Sequence, residues 1–208
     1  LQPQSVLYVQ DDQNSEPRIL LDPNLLSEDG TVALAGWSVS RDGRWLAWST
    51  SVSGSDWRVW RIRSVDTAED LADEVEWYKF SGATWDASGE GFWYGRYPAP
   101  SEGEALQQQN RNQQLWYHRR GTPQAEDTLV YERPDRADWG FAPTLSEDGR
   151  FFGELFVVNF TDEDVLNSLV IGPSFTGGQV LGQYPPPRLY GVKVGIRTLG
   201  DLLPENLW

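Results

Sequence analysis

A short unit that recurs along the chain constrains its fold more than any other feature. Within residues 37–48 and 142–153 the chain has Ser, a charged residue, Asp, Gly, Arg and an aromatic residue in the same order, and a weaker copy occupies residues 83–94. Asp and Gly tolerate the positive φ of a tight turn, and an aromatic residue after them suits the start of a strand. The unit therefore predicts a β-hairpin at each of the three places.

The spacing of the three hairpins favours one class of all-β fold. Their glycines, Gly43, Gly89 and Gly149, are 46 and 60 residues apart, and a four-stranded propeller blade takes roughly 40–50 residues. The longer interval would include a solvated insertion at residues 98–114, which is rich in Pro, Ser, Glu, Gln and Asn. We therefore predict an all-β fold, a partial β-propeller of about three four-stranded antiparallel blades. A β-meander with hairpins but no blades is the simpler alternative.

Runs rich in aromatic and β-branched residues lie between the turn sequences and predict the strands. The predicted strands include residues 6–9, 45–49, 57–62, 91–94, 115–118, 128–131, 151–158 and 189–196. Helical periodicity is weak along the whole chain. The acidic residues 67–76 come nearest to it, and we interpret them as a single turn or a loop.

The composition changes near Asn159, which predicts a domain boundary. Residues 1–158 would form the partial propeller. Residues 159–208 are rich in Gly and Pro and would form a β-hairpin-like tail with one or two strands. The run Pro185–Pro187 within this tail favours a stiff, extended segment, which would set the direction of the strand that follows.

The charge and the composition exclude several classes of partner. The formal net charge of −14 would repel phosphate backbones, so we expect no nucleic-acid partner. The chain has no Cys, which excludes disulfides and thiolate metal sites within it. Its apolar runs are far shorter than the roughly 20 residues of a spanning helix, and its N-terminus has no signal-peptide pattern. We therefore do not expect membrane association.

The sequence lacks the residue patterns of the common catalytic and cofactor sites. A serine hydrolase uses a Gly-x-Ser-x-Gly elbow together with a His and an acid. The nearest sequence is Gly172-Pro173-Ser174, and the next Gly comes one residue too late. His118 is the single His and lies in a predicted strand, which favours a structural role. We therefore expect no catalytic residue, no metal site and no cofactor.

Several short segments, taken together, resemble a known family. They are residues 6–11, 21–34, 53–57, 79–81, 95–98, 117–122 and 146–150. In their order and spacing they resemble the β-propeller of prolyl oligopeptidases, across roughly residues 3–155. Because many separate motifs agree, the resemblance is specific in a way that one Asp-Gly turn would not be.

The resemblance implies that the chain corresponds to one part of the enzymes of that family. In that family a seven-bladed propeller lies over an α/β-hydrolase domain, which carries the catalytic Ser, Asp and His and cleaves short peptides after proline. This chain resembles the first three or so blades and lacks the hydrolase domain. It would be a non-catalytic fragment of the substrate-gating propeller, with the hydrolase domain as its partner and short peptides at most as ligands.

The resemblance also assigns two candidate site residues. Asp56 matches a family Asp that pairs with an Arg of the hydrolase domain, and that Arg binds the substrate backbone; the alternative is an Asp that caps a turn. Phe80 matches a propeller Phe that reaches the substrate cavity near the proline pocket, where an apolar ring suits a proline ring. The alternative for Phe80 is a core residue in a strand.

The tail resembles a second family, and two alternatives to the gating role remain. Residues 159–162 and 177–195 resemble the last hairpin of TonB-dependent outer-membrane receptors. The chain would then be a chimera in which neither parent function is retained. The other alternative is a β-sheet interaction module, because an arc of three blades leaves open strand edges that pair with other chains or with a second copy.

Overall fold

The fold consists of β-strands throughout the part of the chain that can be described. The computed structural model describes residues 4–101, 109–146, 151–158 and 191–198. These ranges contain thirteen β-strands, two three-residue 3-10 helices and no α-helix. The paired strands run antiparallel, so the predicted all-β fold is confirmed. No helix in these ranges is long and apolar enough to cross a bilayer.

The first two strands form a small sheet of their own. β1 (Leu7–Val9) pairs with β2 (Arg18–Leu21). Leu20 and Leu21 are buried in a cluster with Leu46 and Trp48, which belong to the next sheet. Because these side chains leave water together, the small sheet is held against one face of the larger one.

The next four strands form a meander in which each strand pairs with its successor. They are β3 (Val32–Val39), β4 (Trp45–Val52), β5 (Arg58–Ser64) and β6 (Asp70–Tyr78). The β3–β4 turn is the first copy of the recurrent unit. Ser40 Oγ donates to the Asp42 carboxylate at 2.6 Å, Asp42 accepts the Arg44 N–H at 3.1 Å, and Gly43 has φ of +73°. The predicted hairpin is confirmed there.

Strand β6 occupies residues 70–76 of the segment, residues 67–76, for which we predicted a turn or a loop. Asp73 and Val75 are buried, whereas Glu74 and Glu76 are exposed, which is the period-two pattern of a strand. For residues 70–76 the prediction is wrong, because Asp73 points inward. The acidic residues therefore do not all lie on one solvent-facing side, and the segment alternates as a strand does.

Four further strands form the second meander. They are β7 (Thr84–Trp85), β8 (Gly91–Arg96), β9 (Gln114–Arg119) and β10 (Thr128–Tyr131). Its first hairpin is the weaker copy of the recurrent unit: the Asp86 N–H donates to the Gly91 carbonyl at 2.9 Å, and Gly89 has φ of +73°. Pairing of Tyr78 with Arg96 joins the two meanders into an eight-stranded sheet, in the order β10-β9-β8-β6-β5-β4-β3 with β7 beside β8.

The end of the predicted insertion belongs to this sheet. We predicted a solvated loop at residues 98–114, yet β9 begins at Gln114 and the side chain of Gln113 is only 3% exposed. Residues 102–108 lie outside the described part of the chain. The solvated insertion is therefore shorter than its composition indicated.

An aromatic core is buried between the two meanders. Its buried members are Ala47, Trp60, Ile62, Val75, Tyr78, Ala83, Trp85, Phe92 and Tyr94. The ring centroids of Trp60 and Tyr78 are 5.1 Å apart, and those of Trp60 and Phe92 are 6.2 Å apart. Large rings in such tilted contacts provide most of the apolar area of a core that contains no Met or Cys.

A third antiparallel sheet follows. It comprises β11 (Trp139–Leu145), β12 (Phe151–Val158) and β13 (Gly191–Thr198), in that order. β13 comes from the predicted tail and pairs with β12 from Phe151–Thr198 to Val158–Gly191. Residues 159–190 and 199–208 lie outside the described residues, so the boundary at residue 158 stays a prediction. Two four-stranded units and a sheet with three described strands agree with a partial propeller.

Candidate functional site

The two residues assigned by resemblance lie at the same edge of the first meander. Asp56 precedes β5, which begins at Arg58, and Phe80 follows β6, which ends at Tyr78. Arg58 and Tyr78 are paired across these two strands. The register therefore brings Asp56 and Phe80 to one end of one strand pair, although 23 residues separate them in the sequence.

Phe80 is an exposed aromatic residue in an unfavourable backbone conformation. Its side chain is 56% exposed, which excludes the alternative of a core Phe. Its φ is +60°, a region in which a residue with a Cβ costs about 1–2 kcal/mol. Backbone strain of this kind concentrates at ligand-binding and catalytic sites. Phe80 therefore combines exposed apolar surface with a strained, defined position.

The Lys79 ammonium lies close to the Phe80 ring and to two other aromatic rings. Its ammonium lies 3.8 Å from the ring centroid of Trp57, 5.7 Å from that of Tyr97 and 5.9 Å from that of Phe80, and we call these three rings the Lys79 cage. Burial lowers the pKa of the Lys79 ammonium, and the negative charge of Asp56 opposes that change. The cage thus places a cation near Phe80, and Asp56 is close enough for its charge to affect that cation.

Trp57, one of the three cage rings, follows Asp56 directly and precedes β5. Its ring makes edge contacts with Trp77 at 5.7 Å and with Tyr97 at 6.2 Å between centroids. Trp77 also has a positive φ, +62°. The end of β6 is therefore strained twice, and aromatic packing of about 0.5–1.5 kcal/mol per pair helps to offset that strain.

The turn before Asp56 is capped by a different residue. Ser53 and Gly54 have φ of +50° and +73°, and the Ser55 N–H donates to the Val52 carbonyl at 2.9 Å, which is the geometry of a tight hairpin turn. Ser55 Oγ accepts the Trp57 N–H at 3.2 Å.

This arrangement leaves the Asp56 carboxylate facing solvent. Asp56 is exposed, and among the described residues no hydrogen bond or ion pair within 4.0 Å reaches its carboxylate. Capping of the turn, the alternative role for Asp56, is carried out by Ser55.

His118 lies elsewhere, in a fully buried charged cluster. Its Nδ1 is 2.6 Å from Asp127 Oδ1, its Nε2 is 3.0 Å from Asp73 Oδ1, and the three side chains are 0–2% exposed. Asp127 also accepts the Tyr94 hydroxyl at 2.6 Å, and Asp73 accepts the Gly121 N–H at 2.6 Å. The cluster ties β6, β9 and the loop before β10 together, which is a structural role.

The two aspartates decide the charge of His118. Burial alone would lower the pKa of the imidazole, but the hydrogen bonds to Asp127 and Asp73, together with their negative charges, outweigh burial and raise the pKa to about 9. Burial, followed by the charge of Asp127, raises the pKa of the Tyr94 hydroxyl. His118 is therefore a cation near neutral pH, and it is no general base.

Comparison with known proteins decides the family. A sequence model described as the N-terminal beta-propeller domain of prolyl oligopeptidase matches residues 1–167. The chain belongs to the prolyl oligopeptidase family. The resemblance that we drew from the separate motifs is confirmed, and the matched region is the propeller.

Relatives and solved structures agree with this assignment. Prolyl oligopeptidase A of Galerina marginata is 31% identical over 88% of this chain and 28% of its own length. The prolyl endopeptidase of Elizabethkingia meningoseptica is 38% identical over 62% of this chain and 18% of its own length. The structure of prolyl oligopeptidase B from Galerina marginata, at 31% identity, has a TM-score of 0.68 over 77% of this chain and 25% of that chain.

The coverage shows how much of its relatives' length this prolyl oligopeptidase propeller matches. It spans about a quarter or less of the length of these relatives. In the family, the catalytic domain is the partner of the propeller. The match ends at residue 167, so it includes the first segment of the receptor-like resemblance, residues 159–162. That resemblance otherwise lies mainly on undescribed residues and stays a prediction.

Proposed function

We propose that this prolyl oligopeptidase propeller gates short, proline-containing peptides to a catalytic domain. Phe80 faces the substrate, and Asp56 receives a guanidinium of the catalytic domain. The propeller itself carries out no bond cleavage. The single observation that carries the proposal is the exposed ring of Phe80, held at a strained φ of +60°.

The chemistry of a proline ring suits Phe80. A proline ring is apolar and rigid, so it packs against an aromatic face with little loss of conformational entropy. A random surface Phe would not keep a left-handed backbone, because relaxation to a negative φ would recover about 1–2 kcal/mol. The cation of Lys79 beneath the ring adds a favourable charge for a peptide carbonyl or carboxylate next to the proline.

The chemistry of a guanidinium suits Asp56. An Arg presents a planar fork that pairs with a carboxylate through two parallel hydrogen bonds. Asp56 is exposed at the edge that also carries Phe80, so an Arg held there would lie beside a peptide on Phe80. The negative charge of Asp56 favours the charged form of Lys79, and among the described residues no ion pair within 4.0 Å uses the Asp56 carboxylate.

Peptide binding to the isotope-labelled chain tests the role of Phe80. We expect acetyl-Gly-Pro-amide to shift the amide resonances of residues 79–82, and acetyl-Gly-Ala-amide to bind more weakly. Phe80→Ala should weaken binding of the proline peptide about tenfold, the loss of roughly one apolar contact. Tyr8→Ala is the matched control, because Tyr8 is 55% exposed in another sheet. Equal binding by both variants, or no preference for proline, would overturn the proposal.

A second candidate function is pairing with another copy of the chain. Trp37 and Val39 are 56% and 43% exposed, and they point to one side of β3, an end strand of the eight-stranded sheet. Within the described residues β3 has a neighbouring strand on one side only, and exposed apolar side chains on such an end strand favour association. The net charge of −14 opposes it through repulsion that salt screens, so any dimer should become stronger as ionic strength rises.

A further inference from the structure

The loop that carries Phe80 is held on both sides of that residue. On one side, Ser81 Oγ accepts the N–H of Gly95 in β8 at 2.9 Å and donates to the Gly82 carbonyl at 3.2 Å. On the other side, the Lys79 carbonyl accepts a hydrogen bond from Gln113 Nε2 at 3.3 Å. The two neighbours of Phe80 are thus fixed to the second meander, while the ring itself points to solvent.

Gln113 links this loop to the third sheet. Its side chain is 3% exposed, and its Oε1 accepts the N–H of Phe141 in β11. The Phe141 N–H can only donate and the Lys79 carbonyl can only accept, so the orientation of the Gln113 amide is fixed by its partners. One buried amide therefore satisfies two backbone groups that belong to different elements.

The surrounding backbone leaves room for this amide. A Cβ on Gly95 would lie 2.8 Å from Gln113 Nε2, closer than real Cβ contacts, and 3.0 Å from the Phe141 carbonyl oxygen, tighter than most of them. Any other residue at position 95 would displace the amide from the space between the loop and β11. The contact is thus built from three positions, Gly95, Gln113 and Phe141, that are distant in the sequence.

We propose that Gln113 is a positioning residue for Phe80, acting through the Lys79 carbonyl. Its hydrogen bond holds the backbone that enters Phe80, and its bond to Phe141 fixes that backbone to the third sheet. Without it, the loop relaxes from the left-handed φ of Phe80 and the ring leaves its position. The proposal rests on the proposed function only for its effect on peptide binding; the effect on the loop is independent of it.

The variant Gln113→Glu separates the two hydrogen bonds. Its carboxylate has nearly the same shape and still accepts the Phe141 N–H, but it repels the Lys79 carbonyl instead of donating to it. We expect changed amide shifts at residues 79–82 and about tenfold weaker binding of acetyl-Gly-Pro-amide at pH 7.5. Below the glutamate pKa, ordinarily about 4.3 and raised by burial, the protonated carboxyl donates again and affinity should return toward that of the unmodified chain at the same pH.

Two further variants control this measurement. Gln10→Glu makes the same change at an exposed hairpin, where Gln10 Nε2 donates to the Ser15 carbonyl at 2.8 Å, and it should leave peptide binding unchanged. Gln113→Asn is uncharged and one methylene too short to reach both partners. It should weaken binding without recovery in acid, and it keeps the test open if the glutamate variant does not fold.

The outcomes distinguish the two proposals. If Phe80→Ala weakens peptide binding but Gln113→Glu and Gln113→Asn bind like the unmodified chain, the role of Gln113 is wrong. The same holds if the glutamate variant shows no recovery in acid. If the unmodified chain does not bind the peptide, the proposed function fails, and unchanged amide shifts at residues 79–82 in Gln113→Glu would separately overturn the positioning role.

Discussion

Replacing His118 by Gln removes the positive charge that lies between Asp73 and Asp127. All three side chains are 0–2% exposed, so the two carboxylates would be left in the core with one neutral amide between them. Removing one partner of a buried ion pair typically costs about 3–5 kcal/mol. We expect His118→Gln to lower the free energy of unfolding by about that amount at pH 6.

The pH dependence of stability gives a second estimate of the contribution of His118. The pKa of His118 is raised to about 9 in the folded chain from 6.5 in the unfolded one, a difference worth about 3 kcal/mol. Because the folded pKa is the higher one, this stability is fully present below pH 6.5 and is lost as the pH rises through 9. His118 is the single His, so its replacement should abolish this loss.

Urea unfolding followed by tryptophan fluorescence at pH 6, 7.5 and 9 measures both effects. The N-terminal amine titrates in the same window, but it does so in both proteins and its contribution cancels in the comparison. The reasoning is refuted if His118→Gln costs less than about 1 kcal/mol at pH 6. It is also refuted if the variant loses as much stability as the unmodified chain between pH 6 and pH 9.

Three other predictions follow from the site and its surroundings. In a chimera where residues 4–146 replace the matching segment of prolyl oligopeptidase A from Galerina marginata, Asp56→Asn should lower kcat/KM about tenfold, and the exposed control Asp66→Asn should not. Gly95→Ala should lower the free energy of unfolding, measured in urea, by about 1–3 kcal/mol, because the new Cβ would lie 2.8 Å from the buried amide nitrogen of Gln113. Gly82→Ala is the control, because a Cβ at position 82 would have no other atom within 4 Å. Trp37→Lys should reduce any salt-promoted dimer in analytical ultracentrifugation; an unchanged dimer would exclude the β3 face.

The recurrent hairpin unit was predictable because its chemistry is local. Asp42 and Gly43 form their turn through contacts within six residues, and such contacts are visible in the sequence. The strand at residues 151–158 matches β12 in its bounds for the same reason, since five of its eight residues are aromatic or β-branched and favour a strand locally.

The missed features depend on contacts between distant residues. Asp73 was interpreted with its acidic neighbours because its partner, His118, is 45 residues away. Gln113 was placed in a solvated insertion because nothing near it in the sequence marks the Lys79 carbonyl or Phe141 as its partners. The positive φ of Phe80 was not predictable either, because aromatic residues do not favour that region; tertiary contacts impose it.

The most direct test of the account is where a bound proline ring lies. Nuclear Overhauser effects between acetyl-Gly-Pro-amide and the chain, with Phe, Trp and Tyr rings selectively labelled, report which aromatic rings the peptide contacts. The account predicts effects from the proline ring to the Phe80 ring and to the indole of Trp57 in the Lys79 cage. Effects to Trp37 or Tyr8 instead, with none to Phe80, would contradict it.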